Sequence, residues 1–231
     1  MATGVHSGSE FEFAGNEQSL RGYLAIPASG RGPGVLVIQE WWGLVDNIRD
    51  CCDRLAREGF VALAPDVYRG ESTSDPGDAG RLMMELEIPR ASDDLDAAVR
   101  ALINHDAVEG ASVGCLGFCM GGQLALSAGA RNPRIAAVVD CYGIHPNVGV
   151  DFTQMKAAVL GVFAENDEFV PTERARQLEE DIRAAGGRAH CKVYVGAQHA
   201  FLNDSRPDVY DAATAAEAWN DILPFLRAEL A

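Results

Sequence analysis

Basic residues are scarce in this sequence, which has 19 Lys and Arg against 34 Asp and Glu and a formal net charge of −15. A surface with this balance repels nucleic acids and anionic membranes, and it does not attract anionic substrates from a distance. The sequence also has no apolar run approaching the roughly 20 residues that a membrane helix needs. We therefore expect no nucleic-acid partner and no membrane partner.

We also expect no export signal, because residues 1–10 contain neither a basic region nor an apolar run. Their Gly, Ser and Thr content predicts a loose N-terminal tail. We expect a cytoplasmic protein whose six cysteines are free thiols rather than a disulfide framework. The length of 231 residues predicts one domain over residues 11–231.

Short apolar segments alternate with longer amphipathic ones along the chain. Phe11–Ala14 and Arg21–Ile26 flank Gly15-Asn16, a pattern that predicts an antiparallel hairpin at a sheet edge. Strands that alternate with helices form mostly parallel, doubly wound sheets. The sequence therefore predicts an α/β fold, with a polar loop over residues 65–80 and a last helix interrupted at Pro224. The further predicted strands are Val35–Ile38, Phe60–Ala64, Val113–Leu116, Ile135–Val139, Val159–Phe163 and Cys191–Val195.

A candidate nucleophile lies between a predicted strand and a predicted helix. Residues Gly117 to Gly122 read G-F-C-M-G-G, which matches the nucleophile-elbow motif G-x-S-x-G with Cys119 in place of serine. The glycines allow strand and helix to approach closely, and the helix amides favour the thiolate form. A buried cysteine that acts only as a small hydrophobe is the alternative. A zinc site is disfavoured because Cys115 and Cys119 have no further ligands at zinc spacing.

A thiol nucleophile needs a base, and the base needs an orienting acid. In α/β-hydrolases the chain order is nucleophile, acid, histidine. Of the five histidines, His199 alone has this order and follows a predicted strand at the expected sheet edge. The loop after the strand Val159–Phe163 offers three carboxylates, and position alone does not separate them: Glu165, Asp167 and Glu168.

Five motifs in order make the chain resemble the dienelactone hydrolase family, whose members hydrolyse enol-lactones such as carboxymethylenebutenolide. The resemblance runs from about Ser19 to Leu230. It rests on Gln39-Glu40-Trp41-Trp42-Gly43-Leu44, Ala64-Pro65-Asp66-Val67-Tyr68-Arg69-Gly70, the elbow, Asp167 to Pro171 and Gln198-His199-Ala200-Phe201.

This resemblance implies a three-layer α/β-hydrolase fold and a Cys119–His199–Asp167 triad, with Asp167 preferred because it lies four residues before Pro171. It also implies that Glu40 takes the thiol proton when substrate binds, and that the amides of Trp41 and Met120 form the oxyanion hole. A solvated carboxylate is the alternative for Glu40. No metal or cofactor is implied.

The family binds the carboxylate of its substrate with arginines, one of them a few residues after the catalytic histidine. Here Asn203 stands at that position, and Arg206 is displaced. Arg81 and Arg90 are candidates for another of these arginines, with a surface helix position as the alternative. Trp42 and Phe201 are candidate substrate contacts.

The sequence thus predicts hydrolysis of a small lactone or ester through a thiol acyl-enzyme, with a preference for neutral substrates over carboxylated ones. One alternative is a general carboxylesterase or thioesterase with an apolar pocket. Another is a non-catalytic redox sensor that uses Cys119 as a switch.

Overall fold

Eight strands form one sheet in the computed structural model, which describes residues 7–16 and 18–231. The strand order is β1-β2-β4-β3-β5-β6-β7-β8. The strands are β1 Ser9–Ala14, β2 Ser19–Ala25, β3 Gly32–Ile38, β4 Val61–Pro65, β5 Val108–Phe118, β6 Ile135–Cys141, β7 Ala158–Asn166 and β8 Arg188–Gln198. The helices are α1 Asp46–Arg57, α2 Pro76–Glu85, α3 Ile88–Ile103, α4 Met120–Arg131, α5 Thr172–Ala184 and α6 Ala212–Glu229.

The sheet is antiparallel at its N-terminal edge. β2 pairs antiparallel with both β1 and β4, whereas β3 runs parallel to β4, and β7 runs parallel to both β6 and β8. This confirms the predicted mostly parallel α/β fold with an antiparallel edge hairpin.

The residues form two compact units, one that ends at Val113 and a second that spans Gly114–Ala231. The single domain predicted for residues 11–231 stays a prediction. In the first unit, the apolar runs of β3 and β4 are buried. α1 buries one face, which consists mainly of Ile48, Cys51, Cys52, Leu55 and Ala56.

The N-terminal segment differs from the predicted loose tail where the structure describes it. β1 already begins at Ser9, and the amides of Ser7 and Gly8 donate hydrogen bonds to the carboxylate of Asp53 in α1. The Tyr23 hydroxyl donates a third bond to the same carboxylate at 2.8 Å. The long-range partner Asp53 therefore orders Ser7 and Gly8, and pairing with β2 orders Ser9 and Glu10, which sequence composition could not reveal. Residues 1–6 of the predicted tail lie outside the described residues.

Helix α2 occupies part of the predicted polar loop. The Asp75 side chain accepts a hydrogen bond from the Asp78 amide at 3.0 Å, and Pro76 stands in the first turn, where its missing N–H costs nothing. These are start signals that the prediction overlooked. α6 likewise continues through Pro224, because its face carrying Trp219, Ile222 and Leu226 is buried and outweighs the loss of one backbone bond.

The second unit contains the end of β5 and three parallel strands, followed or flanked by α4, α5 and α6. β5 ends immediately before Cys119, β7 before Asp167 and β8 before His199, which are the three predicted triad residues. Within the described ranges, none of the helices has the length and apolar character that crossing a bilayer requires.

Candidate active site

Cys119 occupies a strained turn between β5 and α4. β5 ends at Phe118 and α4 begins at Met120, so Cys119 alone makes the reversal, with φ 52° and ψ −120°. L-residues rarely adopt positive φ, and such strain clusters at functional sites. A Cβ atom on Gly117 would collide with the carbonyl of Gly121, so the turn requires glycine there. This is the nucleophile-elbow geometry that the motif predicts.

The segment after β6 holds the Cys119 turn on both sides. The Cys119 amide donates to the carbonyl of Cys141 at 3.0 Å, and the Ile144 amide donates to the carbonyl of Cys119 at 3.1 Å. Between these two partners lies Tyr142, itself at φ 44°. The nucleophile turn therefore has its backbone bonds satisfied within its own unit, and Cys119 is buried with 7% of its surface exposed.

His199 is paired with Asp167. The Nδ1 atom of His199 lies 2.8 Å from Oδ2 of Asp167, whose side chain is 0% exposed. The second carboxylate oxygen, Oδ1, accepts hydrogen bonds from the amides of Phe169 and Val170 at 2.8 and 2.9 Å. Three bonds thus fix this carboxylate and, through it, the orientation of the imidazole.

The two rival carboxylates are placed differently. Glu165 accepts a hydrogen bond from the Gly196 amide at 2.9 Å and so links the ends of β7 and β8. Glu168 is exposed. Of the three carboxylates that the sequence left open, Asp167 is therefore the one paired with His199.

Aromatic rings lie on both the buried and the exposed sides of His199. The wholly buried Tyr142 ring has its centroid 5.0 Å from the His199 ring and 6.4 Å from Phe118. The half-exposed Phe169 ring lies 5.0 Å from His199 at 66°. Tyr142 therefore contacts both the residue before the nucleophile and the candidate base. Sequence reasoning missed both rings, although each stands beside a strand end that leads to the predicted site.

Backbone strain is concentrated in this region. Four described non-glycine residues have positive φ, and three of them are Cys119, Tyr142 and Ala200, which directly follows His199. The Cys119 turn, the Tyr142 segment and the His199 loop are thus all held in conformations that only surrounding contacts can maintain.

Asp140 is a buried carboxyl group that the sequence analysis did not single out. It lies in β6, is 1% exposed, and its Oδ1 atom makes no hydrogen bond with any residue that the structure describes. Burial raises its pKa to about 7, although the Gly143 amide and the charge of Arg174 act in the opposite direction. Cβ atoms on Gly122 or Gly143 would collide with Oδ1, so the carboxyl group is packed against the start of α4.

The first unit contains Glu40, Trp41 and Trp42 directly after β3. Glu40 is 2% exposed, so it is not the solvated carboxylate that the sequence analysis held as its alternative. Its neighbour Gln39 is wholly buried and accepts a bond from the Val67 amide at 3.2 Å. The two indole rings pack edge to face, with centroids 5.0 Å apart, and both remain partly accessible.

Two predicted substrate contacts have structural roles in the second unit. Phe201 is wholly buried, and its ring packs against Tyr142 and Tyr194 at 5.9 and 5.4 Å. Asn203 is 2% exposed, and its side-chain oxygen accepts bonds from the amide and hydroxyl of Ser205. Phe201 thus belongs to the core, and Asn203 closes a turn; their contacts with a substrate stay predictions.

Each candidate arginine forms an ion pair with an acidic residue that is close to it in sequence. Arg81 bonds Glu85 at 2.8 Å, and Arg90 lies 3.4 Å from Glu87, with both side chains about half exposed. This favours the surface-helix alternative for both residues. Arg206 forms two bonds with Asp208, at 3.0 and 2.6 Å.

Comparison with known proteins agrees with this geometry. The model of the Dienelactone hydrolase family matches residues 20–230. The chain is 39% identical over 228 residues to "Protein usf" of Aquifex pyrophilus, covering 95% of this chain and 98% of that protein. It is 37% identical over 231 residues to a protein of Aquifex aeolicus named "Putative carboxymethylenebutenolidase", covering 96% and 99%.

The chain belongs to the dienelactone hydrolase family.

A solved structure gives the same result for the fold. The crystal structure titled "Putative Dienelactone Hydrolase", from Klebsiella pneumoniae subsp. pneumoniae MGH 78578, superposes with a TM-score of 0.86 at 28% identity and covers 95% of this chain and 98% of that one. As a member of the dienelactone hydrolase family, the chain has the α/β-hydrolase fold and is a hydrolase that acts on ester bonds.

Proposed function

We propose that this dienelactone hydrolase family member hydrolyses a small lactone or ester through a thiol acyl-enzyme on Cys119. The observation that carries the proposal is the Asp167–His199 pair of 2.8 Å, in the same unit as a cysteine in nucleophile-elbow geometry. A base held by a buried acid is the arrangement that nucleophilic acyl transfer requires. A redox sensor would not need the Asp167–His199 pair.

Acylation uses the cysteine and, following the family resemblance, Glu40. Glu40 takes the thiol proton, the thiolate adds to the carbonyl carbon, and the bond from that carbon to the alcohol oxygen breaks. The departing oxygen regains the proton. We assign the oxyanion donors to the amides of Trp41 and Met120; Met120 is the first residue of α4, at the positive end of the helix. One such donor is typically worth about 3 kcal/mol.

Deacylation uses the histidine. A water molecule gives a proton to His199 while its oxygen adds to the thioester carbon. The carbon–sulfur bond then breaks, the carboxylic acid leaves, and the thiolate recovers the proton from the imidazolium. Asp167 holds the ring in one tautomer and stabilises its positive charge.

A neutral substrate fits the surroundings better than a carboxylated one. The oxygen of Asn203 is engaged by Ser205, and Arg206 is engaged by Asp208. A buried carboxylate on the substrate needs a charge-assisted donor, because an unpaired buried charge costs several kcal/mol. Since neither residue offers a free charge in this arrangement, we propose neutral lactones or esters as the preferred substrates.

The decisive experiment traps the covalent intermediate. Phenyl acetate is mixed with the enzyme, the reaction is quenched in acid, and intact and digested protein are analysed by mass spectrometry. We expect an acetyl group on the peptide that contains Cys119, and none in Cys119→Ala, which should also lose hydrolysis.

Cys115→Ala is the matched control, because Cys115 is a wholly buried thiol in β5, the strand that leads to Cys119. It should still form the intermediate. Full hydrolysis by Cys119→Ala, or acetylation at another residue during turnover, would refute the mechanism.

A further inference from the structure

Phe169 is a large apolar side chain that remains exposed beside His199. Its exposed fraction is 54%, whereas Phe163 and Phe201 in the same unit are almost wholly buried. Its ring nevertheless lies 5.0 Å from the imidazole in an edge-to-face arrangement. Exposing part of an aromatic ring forgoes burial energy, so an exposed ring at a candidate active site suggests a ligand contact.

The backbone around Phe169 holds the ring in place. Its amide donates to Oδ1 of Asp167 at 2.8 Å, and the next amide, that of Val170, donates to the same oxygen at 2.9 Å. Val170 itself is 2% exposed and anchors the loop in the core. The carboxylate that orients His199 thus also fixes the residue that carries the exposed ring.

The chemistry determines which part of a substrate lies beside this ring. In deacylation the water that His199 activates attacks the carbonyl carbon of the acyl-enzyme from the space that the departed alcohol has vacated, because the cysteine sulfur and the acyl chain occupy the other positions around that carbon. The alcohol portion of the bound ester therefore lies on the His199 side. A ring that packs against the imidazole is within reach of that portion rather than of the acyl chain.

We propose that Phe169 is a specificity-determining residue that contacts the alcohol portion of the substrate and favours flat, aromatic alcohols. This inference rests on the proposed function. Aromatic pairs gain from offset or edge-to-face packing beyond the area they bury, and this gain corresponds to roughly a two- to tenfold effect on a rate constant.

Three esters distinguish a contact of Phe169 with the alcohol portion from a contact with the acyl portion and from mere support of His199. Phenyl acetate and 2,2,2-trifluoroethyl acetate share one acetyl-enzyme and differ only in the alcohol, whereas trifluoroethyl phenylacetate carries its ring on the acyl side. The value of kcat/KM reports acylation for each of them. We expect Phe169→Ala to lower kcat/KM for phenyl acetate about three- to tenfold more than for either trifluoroethyl ester.

Two further variants serve as controls for Phe169→Ala. Phe169→Tyr keeps the ring and should retain the preference for phenyl acetate. Val195→Ala removes a side chain that is 79% exposed in β8 and should leave all three values unchanged.

Equal losses on all three esters would overturn the proposal, because Phe169 would then only support His199. A selective loss on trifluoroethyl phenylacetate would overturn it as well, since the ring would then face the acyl side. If the wild type showed no Cys119-dependent hydrolysis of any of the three, the proposed function itself would fail.

Discussion

The carboxylate of Asp167 divides its two oxygens between different tasks. Oδ2 lies 2.8 Å from Nδ1 of His199, and Oδ1 accepts hydrogen bonds from the amides of Phe169 and Val170. One residue therefore orients the candidate base and shapes the loop beside it. The side chain is wholly shielded from solvent, which strengthens each of these bonds relative to water.

Asp167→Asn should lower kcat on the order of a thousandfold or more, because an amide can present its N–H to Nδ1 and select the wrong tautomer of His199. The loop bonds to Phe169 and Val170 need only an oxygen, so we expect a small change in thermal stability. Steady-state hydrolysis of phenyl acetate and a thermal unfolding curve measure the two effects.

Glu165→Gln is the control for this variant. Glu165 lies at the end of β7, two residues before Asp167, but bonds the Gly196 amide rather than a histidine, so the variant should keep most of its activity. Comparable losses in both variants would mean that the loop, and not the histidine pair, determines the rate.

The sequence was sufficient to predict that the candidate nucleophile and the candidate base directly follow strands, because both positions depend on local order. The G-F-C-M-G-G run and the loop after β8 follow apolar strands, and parallel strands end at one edge of a sheet. The choice of Asp167 needed the family resemblance, and its bond to His199 at 2.8 Å is consistent with that choice.

Long-range packing accounts for what the sequence could not predict. Phe201 and Asn203 are close to His199 in sequence, yet one belongs to the core and the other closes a turn. Asp140 lies in β6 and Tyr142 directly follows that strand, and no local pattern indicates that they pack against the elbow and the candidate base. The order of Ser7 and Gly8 depends on Asp53, about 45 residues away in the chain.

Glu40→Gln should slow acylation because it removes a proton acceptor while preserving side-chain shape. A loss of roughly a hundred- to ten-thousandfold in the single-turnover rate of acetyl-enzyme formation is expected, which is the usual contribution of a general base. The rate of deacylation of preformed acetyl-enzyme should fall less than the rate of acylation.

Glu58→Gln, at an exposed residue of the same unit, is the control and should match the wild type. An unchanged acylation rate in Glu40→Gln would make Glu40 a structural residue only.

The preference for neutral substrates can be measured with one compound in two forms, a carboxylated dienelactone and its methyl ester. Losing one charge-assisted partner weakens anion binding by about 1.5–3 kcal/mol, so the methyl ester should have a kcat/KM roughly ten- to a hundredfold higher. Arg81→Gln and Arg90→Gln should leave this ratio unchanged, because both arginines pair with glutamates on or beside their own helices. Faster turnover of the free carboxylate would show that an arginine does reach the substrate.

The buried carboxyl group of Asp140 should make the stability of the folded chain fall as the pH rises. Burial raises its pKa from 3.8 to about 7 in the folded chain. The folded state then holds the proton more tightly than the unfolded state, so the contribution of Asp140 to stability is full below pH 4 and is lost as the pH rises towards 7. This difference in pKa corresponds to roughly 4 kcal/mol, at about 1.4 kcal/mol for each tenfold change in the acid constant.

Asp140→Asn removes the titration and keeps the side-chain shape. Urea unfolding at pH 4.5 and pH 8 should therefore show the free energy of unfolding of the variant rising relative to the wild type by a few kcal/mol between the two pH values. Asp151→Asn is the control, because bonds from Thr153 lower the pKa of that exposed carboxyl group, which therefore titrates below this pH range, and its variant should differ from the wild type by the same amount at both pH values. Comparing each variant with the wild type at the same pH cancels the other titrating groups. A constant difference for Asp140→Asn across this range would mean that Asp140 titrates alike in the folded and unfolded chains, contrary to its burial against Gly122 and Gly143.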